Sequence, residues 1–155
     1  MKKFLKLLRS LVLLAMVVCI CSGFVVAGKG YQVYQDAIKE VSLEDKVASI
    51  REKDSFTEYE DLPKIYVQAV VAVEDKRFEN HGGVDFIAIC RAVMNDIRAG
   101  AFVEGGSTIT QQLAKNLYFS QDKDFVRKAA EVFVAWDLEN NYSKEEIFEL
   151  YVNAI

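Results

Sequence analysis

Glu74 and Asp75 form an acid pair, followed by Lys76, Arg77 and Phe78, then by the chain's only histidine, His81, and the glycines Gly82 and Gly83. Further on, Gly105-Gly106-Ser107-Thr108-Ile109-Thr110-Gln111-Gln112 leads into Lys115 and Asn116, and Arg127-Lys128 with Glu131 comes after. Separated carboxylates, several cations and a glycine-rich polar segment are what is needed to move a sugar off a phosphate leaving group. A carboxylate takes the proton of the incoming hydroxyl. Preorganised cations stabilise the charge that develops on the departing phosphate.

Each piece also has a plain structural reading. Glu74 can be a helix-end acid paired with Lys76 or Arg77. His81 is best read as a hydrogen-bonding residue of the turn before Asp85, because no second His or Cys stands at metal-ligand spacing. Gly105-Gly106 by itself is a turn, although glycines also let a ligand approach the backbone. The segment is not a Walker loop, since the Gly-Lys-Ser/Thr ending is missing. Arg127 and Glu131, four apart, suit a surface ion pair worth roughly 0.3–0.5 kcal/mol. Their alternative role is to face a cleft, where Arg127 and Lys128 hold phosphate oxygens. Thr108, Gln111 and Lys115 recur at helical spacing, so one face at a helix start can meet an anion.

The elements that position these residues read as helices. Ser42 with Asp45 opens one by a capping-box-like pattern, to about Lys53. Asp54 to Leu62 is polar and irregular, with room for a short extended piece, and Pro63 starts the next helix. Ile65, Ala69, Val70 and Val73 keep helical spacing into Glu74. A carboxylate at the edge of such an apolar helix has its charged form disfavoured, which suits proton transfer. Asp85 caps a helix bearing Phe86, Ile89, Cys90, Val93 and Ile97, which Gly100 closes. Thr108 and Gln111 cap another that carries Leu113, Leu117 and Tyr118. Phe125 to about Asn140 is a further helix. Ser143 and Glu146 box the last one, through Tyr151, with Lys144, Glu145 and Glu149 expected on a solvated face.

Leu11 to Ala27 holds no charged residue and just reaches the length that crosses a bilayer. Lys2, Lys3, Lys6 and Arg9 precede it, which favours a cytoplasmic N-terminus. Val25-Val26-Ala27 leaves a cleaved signal as the rival. An uncleaved anchor is preferred, with Tyr31 and Tyr34 at the outer interface. Residues 1–30 contain five cations and no acid; the remainder has 14 basic and 23 acidic residues, a net charge of −9. Such a domain does not suit nucleic acid, which requires a basic surface. Cys19, Cys21 and Cys90 suggest neither a disulfide framework nor a metal site. They read as small apolar side chains in lipid or core.

The ordered set resembles the glycosyltransferase domain of bacterial peptidoglycan polymerases, glycosyltransferase family 51, found in penicillin-binding proteins and monofunctional transglycosylases. Four motifs carry the resemblance over roughly Asp61 to Ile155. The first is Glu74-Asp75 with Phe78, His81, Gly83 and Asp85. The second is Gly105 through Gln112 with Lys115 and Asn116. The third is Arg127-Lys128 with Glu131, and the fourth Ser143-Lys144-Glu145-Glu146-Ile147 with Tyr151 and Asn153. Periodicity alone implies an α-rich domain; the resemblance implies a mainly α, lysozyme-like domain on one N-terminal transmembrane helix. The division expected is an anchor over 1–30, a juxtamembrane helical linker over 31–60 and the N-terminal part of the glycosyltransferase domain over 61–155.

The resemblance further implies polymerisation of lipid II into β-1,4 glycan, with release of polyprenyl diphosphate outside the cytoplasmic membrane. Glu74 is then the general base and Glu131 the carboxylate that assists at the donor. Asp75, Gly106, Ser107, Thr108, Thr110, Gln111, Gln112, Lys115, Asn116, Arg127 and Lys128 form the substrate site. No cofactor is required by these residues; in some members a divalent cation such as magnesium helps. Implied partners are lipid II, the growing glycan strand, the bacterial cytoplasmic membrane and a cell-wall synthesis complex. A lysozyme-like glycan hydrolase and a truncated, non-catalytic protein that at most binds lipid II are the alternatives. In the family the domain continues past the region where this chain stops. The apolar positions Ile147, Leu150, Tyr151 and Ile155 of the last helix are therefore expected to be partly uncovered.

Overall fold

The computed structural model describes residues 2–101, 105–120 and 124–155, with the side chains of Lys2 and Lys3 outside that description. Every regular element among the described residues is helical, so the chain is mainly α. Helix α1 spans Lys2–Glu40, about 58 Å at the usual helical rise. It is the one described helix long and apolar enough to cross a membrane. Helices α2 (Leu43–Arg51), α3 (Lys64–Glu74), α4 (Phe86–Ala99), α5 (Ile109–Tyr118), α6 (Phe125–Asn141) and α7 (Lys144–Ala154) follow, with single 3-10 turns at Tyr59–Asp61 and Phe78–Asn80.

The helix starts obey local chemistry. The hydroxyl of Ser42 accepts from the Asp45 amide. The carboxylate of Asp85 accepts from the amides of Ile87 and Ala88. Thr108 with Gln111 and Ser143 with Glu146 form reciprocal capping boxes. Asp124 caps α6 by accepting from the amides of Val126 and Arg127, with no reciprocal bond. Gly100 closes α4 at φ +65°, the left-handed conformation glycine adopts without steric cost. Between Asp54 and Leu62 no strand forms; the backbone is extended at Glu58 and Leu62, on either side of the 3-10 turn.

The core lies where α5, α6 and α7 meet. Ile109, Leu113, Ala114, Val134, Leu138, Ile147, Phe148 and Leu150 are buried in it. Residues 31–60 contribute Tyr34, Leu43, Val47 and Ile50 to the same cluster. The expectation of an uncovered last helix is overturned for three of its four positions. Ile147, Leu150 and Tyr151 are buried, and only Ile155 is exposed. Packing against α5, α2 and the Tyr59–Asp61 turn covers them. The solvated face expected on α7 holds for Glu145, which is exposed, and is corrected for Glu149 and Lys144. The Glu149 carboxylate is buried and accepts from the Tyr59 amide, while Lys144 donates to the His81 carbonyl and to Glu139.

Apolar surface is exposed elsewhere. Ile65 and Val73 on α3, and Phe86, Val93 and Ile97 on α4, are largely open, and Cys90 is exposed rather than in the core. The amphipathic pattern of α4 is real, but Ala92 is its only buried residue.

Helix α1 continues past its apolar run and packs along α6. Gly30 meets Val126, Ala129 and Ala130 so closely that an added Cβ would stand 2.5 Å from that of Ala129. One step further, Tyr31 and Tyr34 both pack on Phe133, edge-on and tilted respectively, with ring centroids 5.2 Å and 5.7 Å away. The Tyr34 hydroxyl then donates to Asp137 at 2.5 Å. Tyr34 is therefore an internal contact, not a residue of the lipid interface as the sequence suggested. Progress along α1 matches progress along α6. The first turn of α6, with Arg127 and Lys128, consequently lies beside the end of the apolar run.

Candidate active site

Helix α3 delivers Glu74 as its last residue, and the chain then turns through Asp75 to the 3-10 turn at Phe78. That turn is fixed from inside. Phe78 is buried against Phe148, and His81 Nε2 donates to Asp75 Oδ2 at 2.9 Å. Asp75 Oδ2 also accepts from the Ile109 amide, so the acid ties the turn to the start of α5. Gly83, at φ +85°, approaches the Ala135 carbonyl so closely that an added Cβ would lie 3.1 Å from it. Its own carbonyl accepts from the Thr108 hydroxyl at 2.6 Å.

These restraints gather the sequence motifs around one pocket of about 340 Å³. Glu74, Asp75, Gly105, Gly106, Ser107, Thr108 and Gln112 line it, joined by Lys76, Arg77, Asp85 and Arg91. Glu74 is exposed, with no apolar enclosure, because the neighbouring surface of α3 is uncovered. Neither neighbouring cation is its partner in sequence fashion. Arg77 pairs with the buried Asp85 at 3.0 Å, and Glu74 Oε2 accepts from Gln112 Nε2 at 2.8 Å. Burial raises the affinity of Asp85 for a proton. The amides of Ala88 and Ile87 and the Arg77 charge outweigh that and hold its carboxyl below the usual range.

The third motif sits behind the glycine pair. Glu131 is fully buried on α6, bonded to Arg127 through one oxygen and to Lys128 through the other at 2.7 Å. This is a buried triad, not the surface ion pair that the spacing alone suggested. Lys128 also donates to Ser107 at 2.7 Å, which links α6 to the pocket rim. A divalent cation does not fit at Glu131, because both carboxylate oxygens already meet a cationic donor. Asp75, His81 and Asp85 bring ligating atoms within 4.8 Å of one another. Their carboxylates, too, are engaged by His81, the Ile109, Ile87 and Ala88 amides, and Arg77.

The other expected substrate contacts are spread more widely. Thr110 is buried and donates to Glu139 at 2.6 Å, and the Gln111 side chain accepts from the Thr108 amide within the capping box. Lys115 is half-buried and Asn116 exposed on α5, and neither is among the residues that line the pocket. Arg91 and Arg77 line the pocket although the sequence reading gave them no site role. Arg91 stands on the helix that Asp85 opens, and that adjacency was the available signal.

The arrangement offers a carboxylate held by an amide, a glycine-rich rim and a cation cluster beyond it. Comparison with known proteins agrees with these parts. The family model described as Transglycosylase matches residues 42–155. Penicillin-binding protein 1F of Bacillus subtilis is 50% identical over 115 residues, which is 72% of this chain and 16% of the relative. Penicillin-binding protein 1A of Neisseria flavescens is 47% identical over 104 residues, 67% of this chain and 13% of the relative. The same-named protein of Neisseria lactamica is 44% identical over 116 residues, 74% of this chain and 14% of the relative. The chain thus spans about a sixth or less of the length of these curated relatives. With the motifs, the helical fold and the family match in agreement, the chain belongs to the transglycosylase family, the peptidoglycan glycosyltransferases of family 51.

Proposed function

We propose that this chain acts in glycosyl transfer from a lipid-linked disaccharide pyrophosphate, polymerising lipid II into β-1,4 glycan with release of polyprenyl diphosphate. The observation that carries the reading is the shared wall of one pocket. Glu74, bonded to Gln112, and Ser107, bonded to Lys128 of the cation triad, both line it. Glu74 takes the proton of the acceptor sugar hydroxyl as its oxygen attacks the anomeric carbon. The donor's pyrophosphate leaves from the opposite face, so the configuration inverts. Ser107 and Lys128 lie on the leaving-group side, and Arg127 adds charge there. Preorganised donors are worth more in such a site than in water, because they need no reorganisation as charge develops. Asp75 and Glu131 act from behind the surface: Asp75 holds the turn that carries Glu74, and Glu131 fixes the directions of Arg127 and Lys128.

The α1–α6 packing supports a membrane-bound donor. It sets the cations within about one helical turn of the end of the apolar run, the level of lipid phosphates if α1 spans a bilayer. The basic N-terminus then lies in the cytoplasm and the domain outside. A reporter fused after Ile155 is expected to work only in the exported compartment.

Substrate choice tests the function. The chain in detergent is expected to bind and consume lipid II, and to leave finished glycan uncleaved. A matched disaccharide without pyrophosphate is expected to bind at least tenfold more weakly, since charge-assisted contacts are lost. Cleavage of glycan strands, or equal binding of both disaccharides, contradicts the reading. Binding of lipid II with no turnover would leave the chain a lipid II binder.

A further inference from the structure

The Glu74 carboxylate is held by a short chain of side chains from three elements. Its Oε2 accepts from Gln112 Nε2 at 2.8 Å, and Gln112 Oε1 accepts from the Tyr151 hydroxyl at 3.4 Å. Glu74 ends α3, Gln112 lies in the first turn of α5, and Tyr151 lies on α7. An amide presents one acceptor end and one donor end. Ionised Glu74 only accepts, so the amide must turn its NH₂ towards it; the flipped amide would set oxygen against oxygen. Tyr151 completes the choice by donating to the acceptor end. Its ring is buried and packs near Phe148, with centroids 6.4 Å apart, so the hydroxyl has little freedom to leave. Burial, and after it the Glu74 charge, raise the Tyr151 pKa, so the hydroxyl keeps its proton at neutral pH and remains a donor.

We propose that Tyr151 is a positioning residue for the Glu74 base, acting through the Gln112 amide, which it locks with its NH₂ end towards the carboxylate. The proposal rests on Glu74 being the base. Fixing Oε2 fixes the plane of the carboxylate, and so the direction in which Oε1 meets a sugar hydroxyl. A base misaligned by a small rotation loses rate without losing substrate affinity. Tyr151 touches neither substrate nor reacting atoms in this role. Gln112, placed among substrate-binding residues by the family resemblance, becomes the link between the base and the core.

Two measurements on the full 155-residue chain in detergent test this. The first is lipid II turnover by the parent, Tyr151→Phe, Gln112→Leu and the double variant. Tyr151→Phe keeps the ring and removes one hydrogen bond, so kcat is expected to fall about 2- to 10-fold, with KM and melting temperature little changed. Gln112→Leu is expected to fall further, and the double variant to match Gln112→Leu, because Tyr151 acts only through Gln112. The second is the side-chain amide signal of Gln112 in ¹⁵N-glutamine-labelled protein, assigned by its loss in Gln112→Leu. It is expected to shift and to exchange faster with water in Tyr151→Phe. An unchanged Gln112 signal overturns the Tyr151 link, as does a double variant whose losses simply add. A parent that does not turn over lipid II overturns the base assignment and this proposal with it, an outcome the amide signal distinguishes from failure of the link alone.

Discussion

At the scale of single residues, the buried triad of Glu131, Arg127 and Lys128 has the largest consequences. Glu131 is fully buried, Arg127 keeps 17% of its side chain in solvent and Lys128 40%. Either cation alone still pairs with Glu131, so only the loss of both leaves its buried carboxylate uncompensated, at a cost of about 3–5 kcal/mol. Arg127→Ala combined with Lys128→Ala is therefore expected to melt far below the parent. Replacing Glu131 by Met in the same protein removes the stranded charge and is expected to restore most of the stability, but not lipid II binding. Calorimetry and binding on the two variants check this. A triple variant as unstable as the double one, or one that binds normally, contradicts it.

Asp85 gives the second residue-scale expectation. Its carboxyl titrates below its ordinary value in the folded protein, so folding is helped while it is ionised. That help is complete above the unfolded value of about 3.9 and is lost as the pH falls through the lower, folded value. Between pH 5.5 and pH 3, the urea midpoint of the parent is expected to fall more steeply than that of Asp85→Asn. The variant keeps a capping oxygen and has no charge to lose. Parallel slopes would remove Asp85 from the account. The motifs made these residues visible, but not their environments. That Glu131 is internal, or that Asp75 spends its oxygens on His81 and Ile109, depends on which helix lies on top, and spacing does not encode that.

At the scale of elements, helix starts were the most legible features. Ser42, Asp85, Thr108 and Ser143 act on amides two or three residues away, so their roles are local. Partner choice was less legible. The apolar stripe of α4 was correctly seen and its burial was not, because a stripe records a preference for apolar contact without naming the contact. The α1–α6 seam was missed for a related reason: Tyr31 and Tyr34 suit a membrane interface as well as a helix seam. Gly30 now marks that seam. Gly30→Ala would press a methyl into Ala129 and is expected to cost about 1–3 kcal/mol by overpacking. Gly28 has nothing within 4 Å of an added Cβ, so Gly28→Ala is expected to hold or raise stability through helix propensity. Thermal melts in detergent compare them; equal effects would show that α1 and α6 do not pack as described.

For the whole molecule, the helices act as a frame that brings distant motifs to one pocket. α3 presents Glu74, α5 supplies Gln112 and the polar rim, and α6 sets the cations behind Ser107 and beside α1. Fold class and family were legible in the order of the motifs. The division of labour was not, since some polar residues of the second motif face the pocket while Thr110 and Gln111 serve the interior. The central claim is that the exposed carboxylate, not the buried one, moves the proton. Lipid II turnover and lipid II binding, measured side by side for the parent and Glu74→Gln, test it most directly. The substitution preserves shape and removes the base, so turnover is expected to fall about 10²–10⁴-fold while binding changes little. Turnover near the parent's rate in Glu74→Gln would contradict the account.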